Sequence, residues 1–501
     1  MFLSSITFVV TLGPETCNMS FIKKPVLLFL ITNLFILTLF AQRSKKLTPD
    51  KLALISSVDR HSAELIALSD SIWTYAEPAL QEYRSSKILM DYAGQQGFNV
   101  QRGVSGMPTA FIASYGEGRP IIGILGEYDA LPGMSQKVSS KEEVLKAGGA
   151  GHACGHNLFS PGSLGAAIAI KELIQQGKIK GTVRFYGTPA EESIGGKIYM
   201  ARDGLFNDLD ACFDWHPDYE TKSDLDGSLS MVDFTVEFTG ISAHASSNPW
   251  DGKSALDAAQ LFADGVEMLR EHIRPTARMH YVFSDGGDVP NVVPAHAAVW
   301  IWIRDRKQAD VEKIYERVQQ IAEGAALMAD VKYKLTLNVG DYEMLVNRTG
   351  NLALNSNLQL LGPITYTPQE ISFARAIQRS MGIDTTGING VPLPFKETVD
   401  DPETGSTDVA DVSWCTPDIS LIVTTTPENV PGHSWAVTSS CGMSIGHKGM
   451  LYAAKAMAMT MLDLYQQPEL LATVRKEFAE KKGDRVFKAM LPDGPPPVPQ
   501  K

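Results

Sequence analysis

Apolar residues recur along this chain with two different periods, and the periods divide it into regions. Leu52–Met90 carries Leu, Ile and Ala at three- and four-residue steps, the spacing of helices with one buried face. Short apolar runs follow at Thr109–Tyr115, Ile121–Leu125, Thr182–Tyr186 and Asp210–Trp215, each the length of a buried strand. The Ala-rich stretch Gly165–Leu173 lies between the second and third runs and predicts a helix entered through Ser160-Pro161 or Ser163. Strands alternating with helices predict an α/β sheet. Near Ser228 the rhythm changes. Met231–Phe238 alternates apolar with polar, as a strand covered on one face does. Helical Ser254–His272, strands Arg278–Phe283 and Ala297–Ile303, helical Val311–Met328 and strand Val331–Leu337 complete the order β-α-β-β-α-β. That is a ferredoxin-like split unit, inserted over residues 228–342. The α/β pattern begun over 48–227 resumes over 343–485, with strand Ile419–Thr424 and helix Lys448–Tyr465. Residues 486–501 form a Pro-rich tail, of which Leu491–Lys501, with Pro495-Pro496-Pro497, reads as unfolded.

The N-terminal stretch stands outside this pattern. Met19-Ser20-Phe21-Ile22-Lys23-Lys24 is basic, Pro25–Phe40 is apolar, and Ala41 offers a small residue for cleavage. This is the layout of a signal peptide over 19–41 with Met19 as its start, and it predicts an exported protein, periplasmic or secreted. The apolar run falls short of the about 20 residues that a spanning helix needs. An uncleaved anchor is the alternative reading.

Composition narrows the function classes. A chain of 501 residues exceeds what one core organises, and 44% hydrophobic with 20% charged residues describes a globular protein. A formal charge of −12 excludes nucleic acid as the main partner, because a phosphate backbone needs a basic surface. Five cysteines make no disulfide framework in a chain this long, although export permits a bridge between Cys415 and Cys441.

Cys154 is different because it lies between two histidines, in Gly151-His152-Ala153-Cys154-Gly155-His156-Asn157. In an extended segment the three side chains would share a face and could grip a cluster of cations. Thiolate and imidazole suit zinc, and added carboxylates admit manganese. Thr188-Pro189-Ala190-Glu191-Glu192 follows a strand and supplies adjacent acids. One can bind metal while the other serves as general base on an activated water. Glu127-Tyr128-Asp129 places two acids at spacing two after another strand, a ligand and a partner that orients an imidazole. His216 ends a strand and His433 lies in a distant Pro/Gly loop. Most of these positions follow strand C-terminal ends, where open α/β sheets bind ligands.

In that order the motifs resemble the M20 metallopeptidase family, in its aminoacylase-like amidohydrolase branch. Gly126-Glu127-Tyr128-Asp129-Ala130-Leu131-Pro132-Gly133, the Cys154 and Glu191 segments, Gly240–His244, Val289–Pro294, Ser406–Ser413 and Gly432–Trp435 carry the resemblance, which covers about residues 50–465. It implies a zinc-peptidase-like α/β catalytic domain whose insert is a lid and dimerisation domain. It implies Cys154 (bridging), His156, Glu192, His216 and His433 as ligands of two divalent ions, zinc or manganese, and Glu191 as catalytic base. Asp129 would stand behind a ligand, and Glu127 falls outside the first rank of ligands. His244 would reach the partner subunit's site as a catalytic oxyanion donor, with Asn291 and Arg304 holding the substrate's carboxylate. The implied reaction is cleavage of small amides, N-acyl amino acids or aminobenzoyl-glutamate-like compounds, by a homodimer or with a paralogous partner subunit. A dipeptidase of the same family and a metal-binding homologue without catalysis are the alternatives.

Overall fold

The computed structural model describes residues 47–396 and 405–499. The proposed signal peptide and Cys17 lie outside the described residues. Among the described residues no helix is long and apolar enough to cross a membrane.

In chain order the strands are β1 (Asn99–Arg102), β2 (Phe111–Glu117), β3 (Ile121–Gly126), β4 (Gly181–Gly187), β5 (Ala211–Asp218), β6 (Lys222–Ser223), β7 (Ser230–Thr239), β8 (Arg278–Asp285), β9 (His296–Asp305), β10 (Lys332–Asp341) and β11 (Asp418–Thr424). One sheet has the order β1-β2-β4-β3-β5-β11-β6. Its centre is parallel, β4 with β3, β3 with β5 and β5 with β11, and the flanking pairs are antiparallel. A parallel sheet must be covered on both faces, and alternate residues show how. Ile122, Ile124, Phe185 and Phe213 pack with the helices Pro49–Arg60, Ser62–Tyr75, His156–Gln175 and Ser444–Gln466. Leu125, Tyr186 and Cys212 pack on the other side with Tyr199, Met200, Val409 and Val412.

The second sheet, β10-β7-β9-β8, is antiparallel throughout. Helices Ala255–Leu269 and Gln308–Met328 cover one face, where Val232, Phe234, Phe262, Ile301, Ile303 and Val318 form a separate core. This is the ferredoxin-like order, and it spans the insert read from the sequence.

Three local readings are corrected. Leu52–Met90 is not one helical run: it breaks into Pro49–Arg60, Ser62–Tyr75 and Tyr83–Gln95. Ala76 and Leu80 between the last two take left-handed backbone, at φ 43° and 57°, which no helix continues. Leu80 is fully buried in that turn, so the apolar rhythm runs on through the break. The helix expected at Ser160 or Ser163 starts at His156, and Pro161 lies inside it. The Pro-rich end is packed, not free. Met490 accepts a hydrogen bond from Gly340 N, Gly494 accepts one from Arg202, Pro496 is buried, and Leu491 and Val498 join the core beneath Tyr199. Prolines bring no N–H to satisfy, which lets irregular chain be packed at low cost. Cys154, Cys212, Cys415 and Cys441 are free thiols, so the permitted Cys415–Cys441 bridge is absent.

Candidate metal centre

The centre gathers at the C-terminal ends of the parallel strands. After β3 the chain delivers Glu127 and Asp129 to one side, and the Tyr128 hydroxyl donates to Thr109 O at 2.6 Å on the other. Asp129 Oδ1 meets His156 Nδ1 at 3.0 Å, and its Oδ2 accepts from Glu192 N at 3.0 Å. One buried carboxylate thus sets the ring and the acidic loop together, with His156 Nε2 turned inward.

The Cys-His segment is a turn, and this corrects the extended reading. Gly155 has φ 77°, and a Cβ there would stand 2.8 Å from Pro217 and 3.1 Å from Cys441 Sγ. Only glycine fits. The turn sends Cys154 and His156 inward and His152 away, where its Nε2 lies 3.0 Å from Ile72 O. Burial holds the His152 imidazole neutral, its pKa lowered to about 3. It is a structural histidine.

His216, on β5, has Nδ1 2.8 Å from Pro217 O, which leaves Nε2 facing Cys154 Sγ at 3.2 Å. His433 takes a left-handed backbone, φ 53°, and its N–H donates to Ala153 O at 3.1 Å. That bond brings the distant loop against the Cys154 turn and places His433 Nε2 3.5 Å from Glu192 Oε2. Glu191 and Glu192 follow Ala190, also left-handed at φ 63°, whose N–H donates to buried Glu82 at 3.0 Å.

Cys154, His156, His216, Glu192 and His433 therefore converge, as do Glu127, His156 and Glu191: within each of three overlapping groups the ligand atoms lie within 4.8 Å. Glu127, placed outside the first rank by its position in the sequence, stands inside the cluster. Its Oε1 pairs with Lys197 Nζ at 2.6 Å, and its Oε2 stands 3.0 Å from His156 Nε2. Lys197 Nζ also meets Asp408 Oδ1 at 2.6 Å, and all three side chains are buried. Glu82 carries no signal in the sequence, and Lys197 and Asp408 none beyond lying beside the acidic motif and in Ser406–Ser413, because only the strand order brings them together.

The structure tests whether cations suit this place. Glu127 Oε2, His156 Nε2 and Glu192 Oε1 are buried and none has a hydrogen-bond partner. The first two are close in distance without hydrogen-bond geometry. Burial, then the Glu127 and Glu192 charges, push the Glu191 carboxyl well above the usual range. Burial, then the Glu192 charge, does the same to the Cys154 thiol. Orphaned lone pairs and surplus negative charge are what a divalent cation relieves, and a thiolate, imidazole and carboxylate set suits zinc or manganese.

The residues expected to bind substrate from the insert stand elsewhere. His244 bridges Val292, its Nδ1 accepts from Ser246 N and Ser247 N, and Asn291 O accepts from Ala245 N, all within the insert. Arg304 lies on β9 with its guanidinium over the Trp302 ring. Among the described residues none of the three bonds to the metal-centre side chains.

Comparison with known proteins agrees with this construction. The model of peptidase family M20/M25/M40 matches residues 123–340. The chain is 37% identical over 460 residues to one of the subunits of p-aminobenzoyl-glutamate hydrolase from Escherichia coli, covering 87% of this chain and 96% of that one. It is 29% identical to human Xaa-Arg dipeptidase, over 87% and 94% of the two chains. A dinuclear metal-binding peptidase of the M20 family from Bacillus subtilis has the same fold, with TM-score 0.55 and 18% identity over 81% of this chain and 99% of that one. The chain belongs to the M20 peptidase family of amide-bond hydrolases.

Proposed function

We propose that this chain is a two-metal amidohydrolase that cleaves N-acyl amino acids or aminobenzoyl-glutamate-like substrates. The observation that supports it best is the set of buried, unpartnered ligand atoms on Glu127, His156 and Glu192, beside a carboxylate, Glu191, that the ligand set does not need. Cys154, His156, Glu192, His216 and His433 would hold two divalent ions, zinc or manganese. Bound ions would supply positive charge that polarises the amide carbonyl and lowers the pKa of a water.

Glu191 takes the proton from the attacking water and returns it to the amine nitrogen as the C–N bond breaks. The water oxygen ends on the acyl carbon, and the products are a carboxylate and an amine. Asp129 keeps His156 Nδ1 and the Glu192 loop in place during turnover. His244, carried on the lid of a second copy, would donate to the oxyanion, and Asn291 and Arg304 would hold the substrate's carboxylate. A homodimer through the lid, a paralogous partner subunit and export through residues 19–41 belong to the same reading.

Glu191→Gln tests it. Hydrolysis of N-acyl amino acids should fall about 10²–10⁴-fold with metal content, measured by mass spectrometry, unchanged. Undiminished turnover with metals bound sinks the mechanism. Dipeptides assayed beside N-acyl amino acids separate the amidohydrolase from the dipeptidase.

A further inference from the structure

Glu191 and Glu192 are neighbours in the chain but are held in different ways. Glu192 N donates to Asp129 Oδ2 at 3.0 Å, which anchors the second acid through its own backbone. Among the described residues no hydrogen bond fixes the Glu191 carboxylate, so its direction depends on the backbone that carries it. That backbone begins at Ala190, a non-glycine residue in left-handed conformation at φ 63°. Such a conformation is strained and persists only where the surroundings enforce it.

Glu82 supplies the enforcement. Its Oε1 accepts from Ala190 N and from Leu80 N, both at 3.0 Å, and Leu80 is itself left-handed at φ 57°. Its Oε2 accepts from Thr109 Oγ1 at 3.0 Å, and Thr109 O accepts from the Tyr128 hydroxyl at 2.6 Å. Tyr128 lies between Glu127 and Asp129. A fully buried side chain is thus tied directly to the residue before Glu191 and, through Thr109, to the other acid-bearing segment of the centre. On its other side, Ala190 O accepts from Ile194 N and Gly195 N.

The helix that follows Glu82 does not need this carboxylate. Glu82 is the N-cap of Tyr83–Gln95, where an acidic side chain ordinarily accepts from the first turn, yet it makes no such bond. Glu77 serves instead, accepting from Arg84 N at 3.1 Å and from Ser85 N at 2.9 Å. Burying a carboxylate without a cation beside it is costly, and the bonds to Ala190 and Leu80 show what Glu82 holds in return.

We propose that Glu82 is a positioning residue for catalysis: by fixing the left-handed turn at Ala190, it aims the Glu191 carboxylate at the attacking water. The assignment rests on the amidohydrolase reading, from which it takes the role of Glu191. Without the acceptor, Ala190 relaxes toward right-handed backbone and carries Glu191 away, while Asp129 keeps Glu192 among the ligands.

Glu82→Met preserves most of the side-chain volume and removes both acceptors. In the full chain, kcat for the best-cleaved amide of a panel of N-acyl amino acids and dipeptides should fall about 10–100-fold. KM, and metal content by mass spectrometry, should stay unchanged. Glu82→Gln retains an acceptor for Ala190 N and should keep most of the parent's kcat. Ala190→Gly in the Glu82→Met background lets position 190 hold the turn without strain, and should recover part of the loss. Glu77→Ala uncaps the neighbouring helix, and should lower the urea midpoint without lowering kcat. If Glu82→Met does not fold, Glu82→Asp, whose carboxylate stops a methylene short of Ala190 N, carries the same expectation. Parental kcat in the folded, metal-loaded Glu82 variant makes Glu82 a structural residue and overturns the proposal. So does a loss of metal in step with activity, or an equal fall in Glu77→Ala or in Glu82→Gln. If the parent hydrolyses no amide, or Glu191→Gln keeps full turnover, the hydrolase mechanism falls and this proposal with it. If Glu191→Gln is inactive while Glu82→Met is not, only the positioning role falls.

Discussion

Two cationic places in this molecule are built in opposite ways. Lys197 is fully buried, and both carboxylates that hold it, Glu127 and Asp408, are buried too. Arg278 and Arg304 stand opposite each other on the sheet face that the helices leave uncovered, Arg278 donating to the Pro275 and Ala277 carbonyls and Arg304 feeling only the more distant charge of Asp341 in the same row. Burial explains the difference. A charge removed from water costs several kcal/mol unless it is paired, so an interior ammonium must come with its acids. At a surface, water screens repulsion and a surplus of charge can persist. The first arrangement serves the fold and the centre it supports; the second relies on solvent to tolerate its like charges.

The sharpest way to break this contrast is to remove one cation from each place. Lys197→Met leaves Glu127 and Asp408 buried without their counter-charge, and should cost about 3–5 kcal/mol in urea denaturation. Arg278→Met should stay within about 0.5 kcal/mol of the parent, or stabilise slightly by ending a repulsion. Similar losses for both would show that burial is not what separates them. A smaller effect concerns the support of the ligands. Asp129→Asn weakens the acceptor behind His156 Nδ1, and metal affinity measured by chelator competition should fall about 10–100-fold. Unchanged affinity would leave Asp129 a mere neighbour. More local still is Ser254→Ala, which removes the side chain that accepts from Asp257 N and caps the insert helix Ala255–Leu269. It should cost about 1 kcal/mol and leave metal content untouched; a loss of metal would mean that the insert and the centre are coupled.

The same contrast governs what could be read from the sequence. The insert's strands were legible almost to their ends: Met231–Phe238 became Ser230–Thr239, and Ala297–Ile303 became His296–Asp305. One face of that sheet is covered and the other is open, so polarity alternates with the strand period. The helix His156–Gln175 is buried on nearly every side, so no polar stripe marked its start. Within the centre, Cys154 and His156 stood out by their residue types and spacing, whereas His216, Glu192 and His433 entered the ligand set through the family resemblance, and the fold gathers all five side chains. Lys197 and Asp408 were not legible. A lysine and an aspartate far apart in sequence look like solvated surface until the order β4-β3-β5-β11 brings their loops to one edge. The turn at Gly155 was hidden for a related reason: glycine marks flexibility, whereas here its use depends on Pro217 from another strand.

The hydrogen bond from His433 N to Ala153 O joins two parts of the chain that are made at very different times. Synthesis runs from the N-terminus, so Cys154, His156, Glu192 and His216 all leave the ribosome long before His433 exists. A growing chain that has not reached residue 433 cannot close the pocket. A product cut short before residue 433 would therefore lack the segment that closes the candidate metal centre.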